Sequence, residues 1–202
     1  MSIETYSELQ AAIADLLNRT DLTAQIPNWI SLCEAALNRD LDCPQMQVTT
    51  NITITGETYP LPADFGGVKS LRINSGAGSP VEYVTPDILD DLAIMTGTPT
   101  AYTISGDFFY FNPVPGSATA ARLRYRQLVP ALSATNPTNW VLTRHSDVYL
   151  YGAAMHSAPY LQADERLATW AALYRALVSD INNQGRKQAE GSTLQTVSGF
   201  YG

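Results

Sequence analysis

Apolar residues recur every three to four positions at both ends of the chain and alternate in its middle. Over residues 6–18, Leu9, Ile13, Leu16 and Leu17 fall on one helical stripe, with Glu8 and Asp15 elsewhere. Over 25–41, Ile26, Trp29, Ile30, Cys33, Leu37 and Leu41 repeat that spacing. Pro27 falls in the first turn, where its missing N–H costs little. The helical period returns late, predicting one helix over 145–161 and another over 164–182. The second carries Leu167, Trp170, Ala171, Tyr174, Leu177, Val178 and Ile181 on its face.

Between these helices the period shifts to two. Residues 48–62 alternate and are rich in Thr, Ile and Val, which predicts a strand, a turn at Gly56 and a second strand. Strands are expected over 67–73, 81–84 and 119–129, and a loop over 75–80. Residues 97–116 predict two strands joined by the Gly106-Asp107 turn. Residues 85–95 read as a short helix with Thr85 as N-cap, Pro86 at the first position and Asp87 in the first turn. The expected fold class is therefore α+β: a helical bundle from residues 1–44 and 144–185, with a β-rich, sandwich- or barrel-like domain inserted at 45–143. Residues 186–202 lack a usable period and are expected to form an extended C-terminal arm.

Composition narrows the function. The 202 residues are 45% hydrophobic and only 15% charged, against about 25% charged in an average globular domain. That is a folding sequence whose charge-poor surface suits partial covering by a partner. The net charge of −7 argues against a protein that grips nucleic-acid phosphates, since that needs clustered Lys and Arg. It is compatible with a wall that DNA slides past. Cys33 and Cys43 match no zinc spacing. One lies in a helix and the other past its end, roughly 15 Å away at the helical rise, so two thiols are expected in a reducing compartment. The N-terminus shows no signal peptide, and no apolar run approaches the roughly 20 residues of a membrane span.

Candidate chemistry is sparse. His145 and His156 stand about three helical turns apart, roughly 16 Å, too far to share one metal ion. An acid/base role for His145 beside Asp147 competes with a plain helix start, where Asp147 favours the dipole. The small residues Gly152, Ala153 and Ala154 let another helix come close, and Val148, Gly152, Met155 and Pro159 approximate one packing stripe flanked by Tyr151. There is no GxSxG elbow, and the GxG of residues 75–80 does not open a helix. Asp90 and Asp91 diverge by about 100° on a helix and do not converge on an ion. No catalytic residue, metal or cofactor is expected. Two features stand above background. Arg122, Arg124 and Arg126 alternate, so they share one strand face, either solvated or bridging to an acidic neighbour. Arg186 and Lys187, with the terminal Phe200-Tyr201 pair, mark the end of the chain as either a disordered tail or an arm that orders on a partner.

Three segments carry a resemblance. They are YPLPADFGGVKSLRI (residues 59–73), GTPTAYTISGDFFYFNPVP (97–115) and RLRYRQLVPALSATNPTNWVLTRHSDVYLYGAAMHSAPYLQADERLATWAALYRAL (122–177). With them the chain, from about Tyr6 to Leu177, resembles the tailed-bacteriophage head–tail adaptor (connector) proteins of the tail tubular protein A type. The resemblance implies a non-enzymatic virion protein that forms a ring, usually of twelve copies, below the portal. Such a ring extends the DNA channel without specific DNA binding and receives the tail or nozzle protein. It further implies that Arg122, Arg124 and Arg126 meet a neighbouring subunit or the tail, and that the arm with Arg186, Lys187, Phe200 and Tyr201 contacts the portal. The competing readings are a glycan-binding module using Tyr102, Phe109 and Phe111, whose alternation suggests core instead, and a hydrolase using the histidines.

Overall fold

The computed structural model describes residues 3–73, 78–162 and 164–190. The N-terminal elements are helices α1 (Tyr6–Leu17) and α2 (Ile26–Asp40). Strands β1 (Gln47–Ile54), β2 (Thr58–Pro60), β3 (Phe65–Ile73) and β4 (Glu82–Tyr83) follow, then helix α3 (Pro86–Asp91). Strands β5 (Ala101–Ser105), β6 (Phe108–Asn112) and β7 (Thr119–Gln127) precede helices α4 (Trp140–Arg144), α5 (Ser146–Leu161) and α6 (Asp164–Glu190). The architecture is mixed α and β, in two units: residues 1–45 with 129–202, and residues 46–128. Residues 129–143, expected with the strands, group with the helices.

In the helical unit, α1 opens on a capping box. The Thr5 hydroxyl accepts from the Glu8 amide at 3.3 Å, and the Glu8 carboxylate accepts from the Thr5 amide at 2.9 Å. Its apolar stripe buries Leu9, Ile13 and Leu17. Helix α5 occupies the centre and touches α1, α2, α4 and α6. Its buried residues (Val148, Tyr149, Gly152, Ala153, Ala154, Ser157 and Ala158) spread around the helix, as expected for one enclosed on several sides. The expected stripe is corrected accordingly: Met155 is half-buried and Pro159 exposed. Gly152 is required by close approach, since a Cβ there would stand 2.3 Å from Cys33 Sγ and 3.2 Å from the Tyr174 ring.

Helix α6 buries Trp170, Tyr174, Val178 and Ile181, and the stripe continues to Gly185. A Cβ at Gly185 would lie 2.7 Å from Pro44 Cδ, so this glycine serves a contact and does not stop the helix. The helix runs past residue 182 to Glu190 and carries Arg186 and Lys187, which sequence reasoning assigned to an extended arm. Phe200 and Tyr201 lie outside the described residues. No disulfide joins the two buried cysteines.

The second unit holds two sheets, ordered β1-β7-β3 and β2-β6-β5-β4. The nine-residue β7 is central to the first and pairs antiparallel with both neighbours. Strands β5 and β6 form the expected hairpin, and Gly106 supplies its positive φ of 57°. The hairpin expected over 48–62 does not form: β1 joins one sheet and β2 the other. Gly56 lacks the left-handed backbone of a two-residue hairpin turn, and the chain crosses between sheets there. Neither sheet closes into a barrel. Both contribute to one apolar cluster, with Ile52, Ile54, Leu71, Leu123 and Tyr125 from the first and Tyr102, Phe109 and Phe111 from the second. Each large side chain so buried contributes about 1.5–3 kcal/mol. Helix α3 is shorter than expected, ending at Asp91, and Thr85 makes no side-chain cap.

Candidate functional site

The side chains of β7 divide by the pleat. Ala121, Leu123 and Tyr125 are buried in the cluster, while Arg122, Arg124 and Arg126 share the opposite face. Strand pairing sets their neighbours. Arg122 lies between Asn51 and Arg72, Arg124 between Thr49 and Ser70, and Arg126 between Gln47 and Gly67. Arg124 is exposed, and its Nε donates to Thr49 Oγ1 at 3.4 Å. Arg72 donates to the Gly78 carbonyl at 2.9 Å. Register shifts in β3 fall at Gly66 and Lys69, and a Cβ placed at Gly66 would stand 2.9 Å from Arg126 Nη1. The result is a polar sheet face whose charges are all positive. Its inner side is secured by Asp64 of the LPADF segment, whose carboxylate accepts from the Tyr125 hydroxyl at 2.9 Å and from the Gln127 amide.

A second constellation joins Asn139 and Tyr149, from residues 137–161, to Glu34 of α2. Asn139 caps α4 by accepting from the Leu142 amide at 2.9 Å, and its Nδ2 donates to the Pro130 carbonyl at 2.8 Å and the Tyr149 hydroxyl at 2.7 Å. Tyr149 in turn donates to Glu34 Oε1 at 3.4 Å, which also accepts from the Leu132 amide at 2.7 Å. Burial pushes the Glu34 carboxyl above its ordinary range, opposed by those two donors. Burial also pushes the Tyr149 hydroxyl and the Cys33 thiol up, keeping both protonated. This network fastens residues 130–142 to α2 and α5. It ties three separate stretches of the helical unit together as a structural joint.

A model of the SU10 adaptor protein family matches residues 4–197. This chain belongs to that family. It is accordingly a phage structural adaptor, a component of the virion that interacts with other head and tail parts. No curated protein matches it significantly.

In this adaptor the residues named for other chemistries are placed as follows. Tyr102, Phe109 and Phe111 are 6%, 0% and 1% exposed, so they form core and offer no stacking surface to a glycan. His145 joins α4 to α5, and His156 lies on α5; burial lowers the pKa of both, with Asp147 opposing the shift at His145 and Arg39 adding to it at His156. Among the described residues no three His, Cys, Asp or Glu side chains could hold a metal ion, and no helix is long and apolar enough to cross a membrane. Arg186 and Lys187 are exposed in the last part of α6, where Arg186 donates to Asn183 Oδ1.

Sequence reasoning missed Glu34, Asn139 and Tyr149 as a connected set, and it missed α4. An Asn directly before the apolar-periodic Trp140–Leu142 was the available signal for a helix cap. It also missed a cavity of about 360 Å³ beside α3, lined by Glu57, Asp90, Leu92, Ile94 and Thr103 among others.

Proposed function

We propose that the adaptor is a non-enzymatic, ring-forming head–tail connector of the tail tubular protein A-like kind, with twelve copies mounted below the portal. The ring prolongs the DNA channel and docks the tail or nozzle protein. The observation that carries this reading is the family match over nearly the whole chain. Physical features agree with it. A net charge of −7 does not retain a passing polyanion. An unclosed, cationic sheet face offers an adhesive surface on an otherwise acidic chain. In this reading the helices around α5 form a bundle, the two sheets form a sandwich, Arg122, Arg124 and Arg126 make an intersubunit or tail contact, and the C-terminal segment with Arg186, Lys187, Phe200 and Tyr201 reaches the portal.

The test is a phage made without the protein. DNA-filled heads that fail to join tails are expected, with joining restored by the purified protein. Infectious, tailed particles assembled in its absence would overturn the reading.

A further inference from the structure

We infer that the cavity beside α3 is a socket for an arginine side chain, and that its occupant is Arg124 on the outer sheet face of a second copy of this chain. This pairing rests on the ring proposed above and names the two surfaces that join its copies.

Charge in residues 46–128 is segregated. All five cations (Lys69, Arg72, Arg122, Arg124 and Arg126) lie on β3 and β7. None of the seven acids (Glu57, Asp64, Glu82, Asp87, Asp90, Asp91 and Asp107) lies on β1, β3 or β7. Asp64, just before β3, is engaged by Tyr125 and Gln127. The remaining acids sit on or around the other sheet and α3.

The cavity lies on that acidic side. Its walls include Pro86, Leu89, Leu92, Ile94 and Val114, and among the described residues its only charged lining ones are Glu57 and Asp90. Thr103 also lines it, is 3% exposed, and its hydroxyl makes no hydrogen bond among the described residues. A buried orphan hydroxyl is costly unless something satisfies it. The matching ligand has an apolar stem for the walls, a cationic head for the two carboxylates, and N–H donors for the threonine oxygen. Arginine has all three. One lining residue, Ile94, is itself 85% exposed and adds apolar area.

The socket cannot take an arginine from its own sheet face. Thr103, Tyr110 and Asn112 alternate with Tyr102, Phe109 and Phe111 of the apolar cluster, just as Arg122 and Arg124 alternate with Leu123 and Tyr125. Socket and arginine face therefore lie on opposite sides of one core. A contact between different patches of identical copies is head-to-tail, and closes into a ring when the rotation permits.

Sedimentation velocity across protein concentration, in low salt, tests the pairing. Wild-type protein is expected to self-associate, and to dissociate as salt rises. The variant R122E/R124E/R126E and the variant E57K/D90K should each be weakened at least about tenfold, while their equimolar mixture recovers association because every contact in it pairs opposite charges. Arg124→Gln and Asp90→Asn provide milder versions should a reversal variant lose its near-UV circular dichroism. Thr103→Val separates binding from folding: it should raise the thermal midpoint of the free protein yet weaken association about tenfold. Wild type that stays monomeric at millimolar concentration, arginine reversals that associate like wild type, or a mixture that fails to recover would overturn the pairing. Arginine-reversed protein that still forms rings on the portal would do so while leaving the ring reading standing; failure of wild type to join the virion would instead remove the ring reading.

Discussion

Replacing Asn139 by Ala should be the most destructive single polar change in the helical unit. The side chain is 8% exposed and makes three hydrogen bonds, at 2.9 Å to the Leu142 amide, 2.8 Å to the Pro130 carbonyl and 2.7 Å to the Tyr149 hydroxyl. Loss of the helix cap costs about 1 kcal/mol. Leaving the part-buried Pro130 carbonyl and the buried Tyr149 hydroxyl without their donor costs about 1–3 kcal/mol more. The sum, about 3 kcal/mol, lowers the thermal midpoint by about 6–12 °C for a chain of this size. Trp29, Trp140 and Trp170 all lie in the helical unit, so a urea titration followed by tryptophan fluorescence reads that unit alone. Tyr149→Phe deletes the shared hydroxyl, so the double variant should cost about 1 kcal/mol less than the two single changes added together. An Asn139→Ala protein within about 0.5 kcal/mol of wild type, or strictly additive variants, would refute the account of the 137–161 segment as a structural joint.

Three further outcomes follow from the same contacts. Gly152→Ala should destabilise the helical unit by about 1–3 kcal/mol through the clash with Cys33 Sγ, and Cys33→Ala should relieve part of that loss; equal urea midpoints for wild type and Gly152→Ala would contradict it. Glu34 has a folded pKa above its ordinary 4.5, so the fold favours its protonated form. Stability should therefore fall as pH rises from 4.5 through the raised value, and level off above it. Glu34→Gln should flatten this slope and be at least as stable as wild type at neutral pH, as read from unfolding free energy against pH. Asp64→Ala removes the acceptor shared by Tyr125 and Gln127 and should cost about 2–3 kcal/mol in residues 46–128, a unit without tryptophan that is followed by near-UV tyrosine circular dichroism.

Periodicity made the long helices and the β5–β6 hairpin legible, because each depends on neighbours in sequence. Strand partners were less legible. Alternation over 48–62 identifies two strands, yet only the long β7 offers β1 a partner on its own sheet, and nothing local encodes that choice. The end of α6 was misread because the apolar period stops at Ile181: the buried stripe continues through Gly185, whose close contact with Pro44 leaves no apolar side chain to see in the sequence. The alternation of Arg122, Arg124 and Arg126 announced a shared face directly. The socket could not be read that way, since Glu57, Asp90 and Thr103 are far apart in sequence and meet only through the sheet order β2-β6-β5-β4 and α3.

The central claim is that copies of this adaptor mount on a portal as a ring. Native mass measurement of the cognate portal, before and after mixing with the purified protein, tests it most directly. Twelve copies of 22.0 kDa would add about 264 kDa, and micrographs should show a ring-shaped extension of the channel. A portal mass unchanged at saturating adaptor concentration would contradict the account.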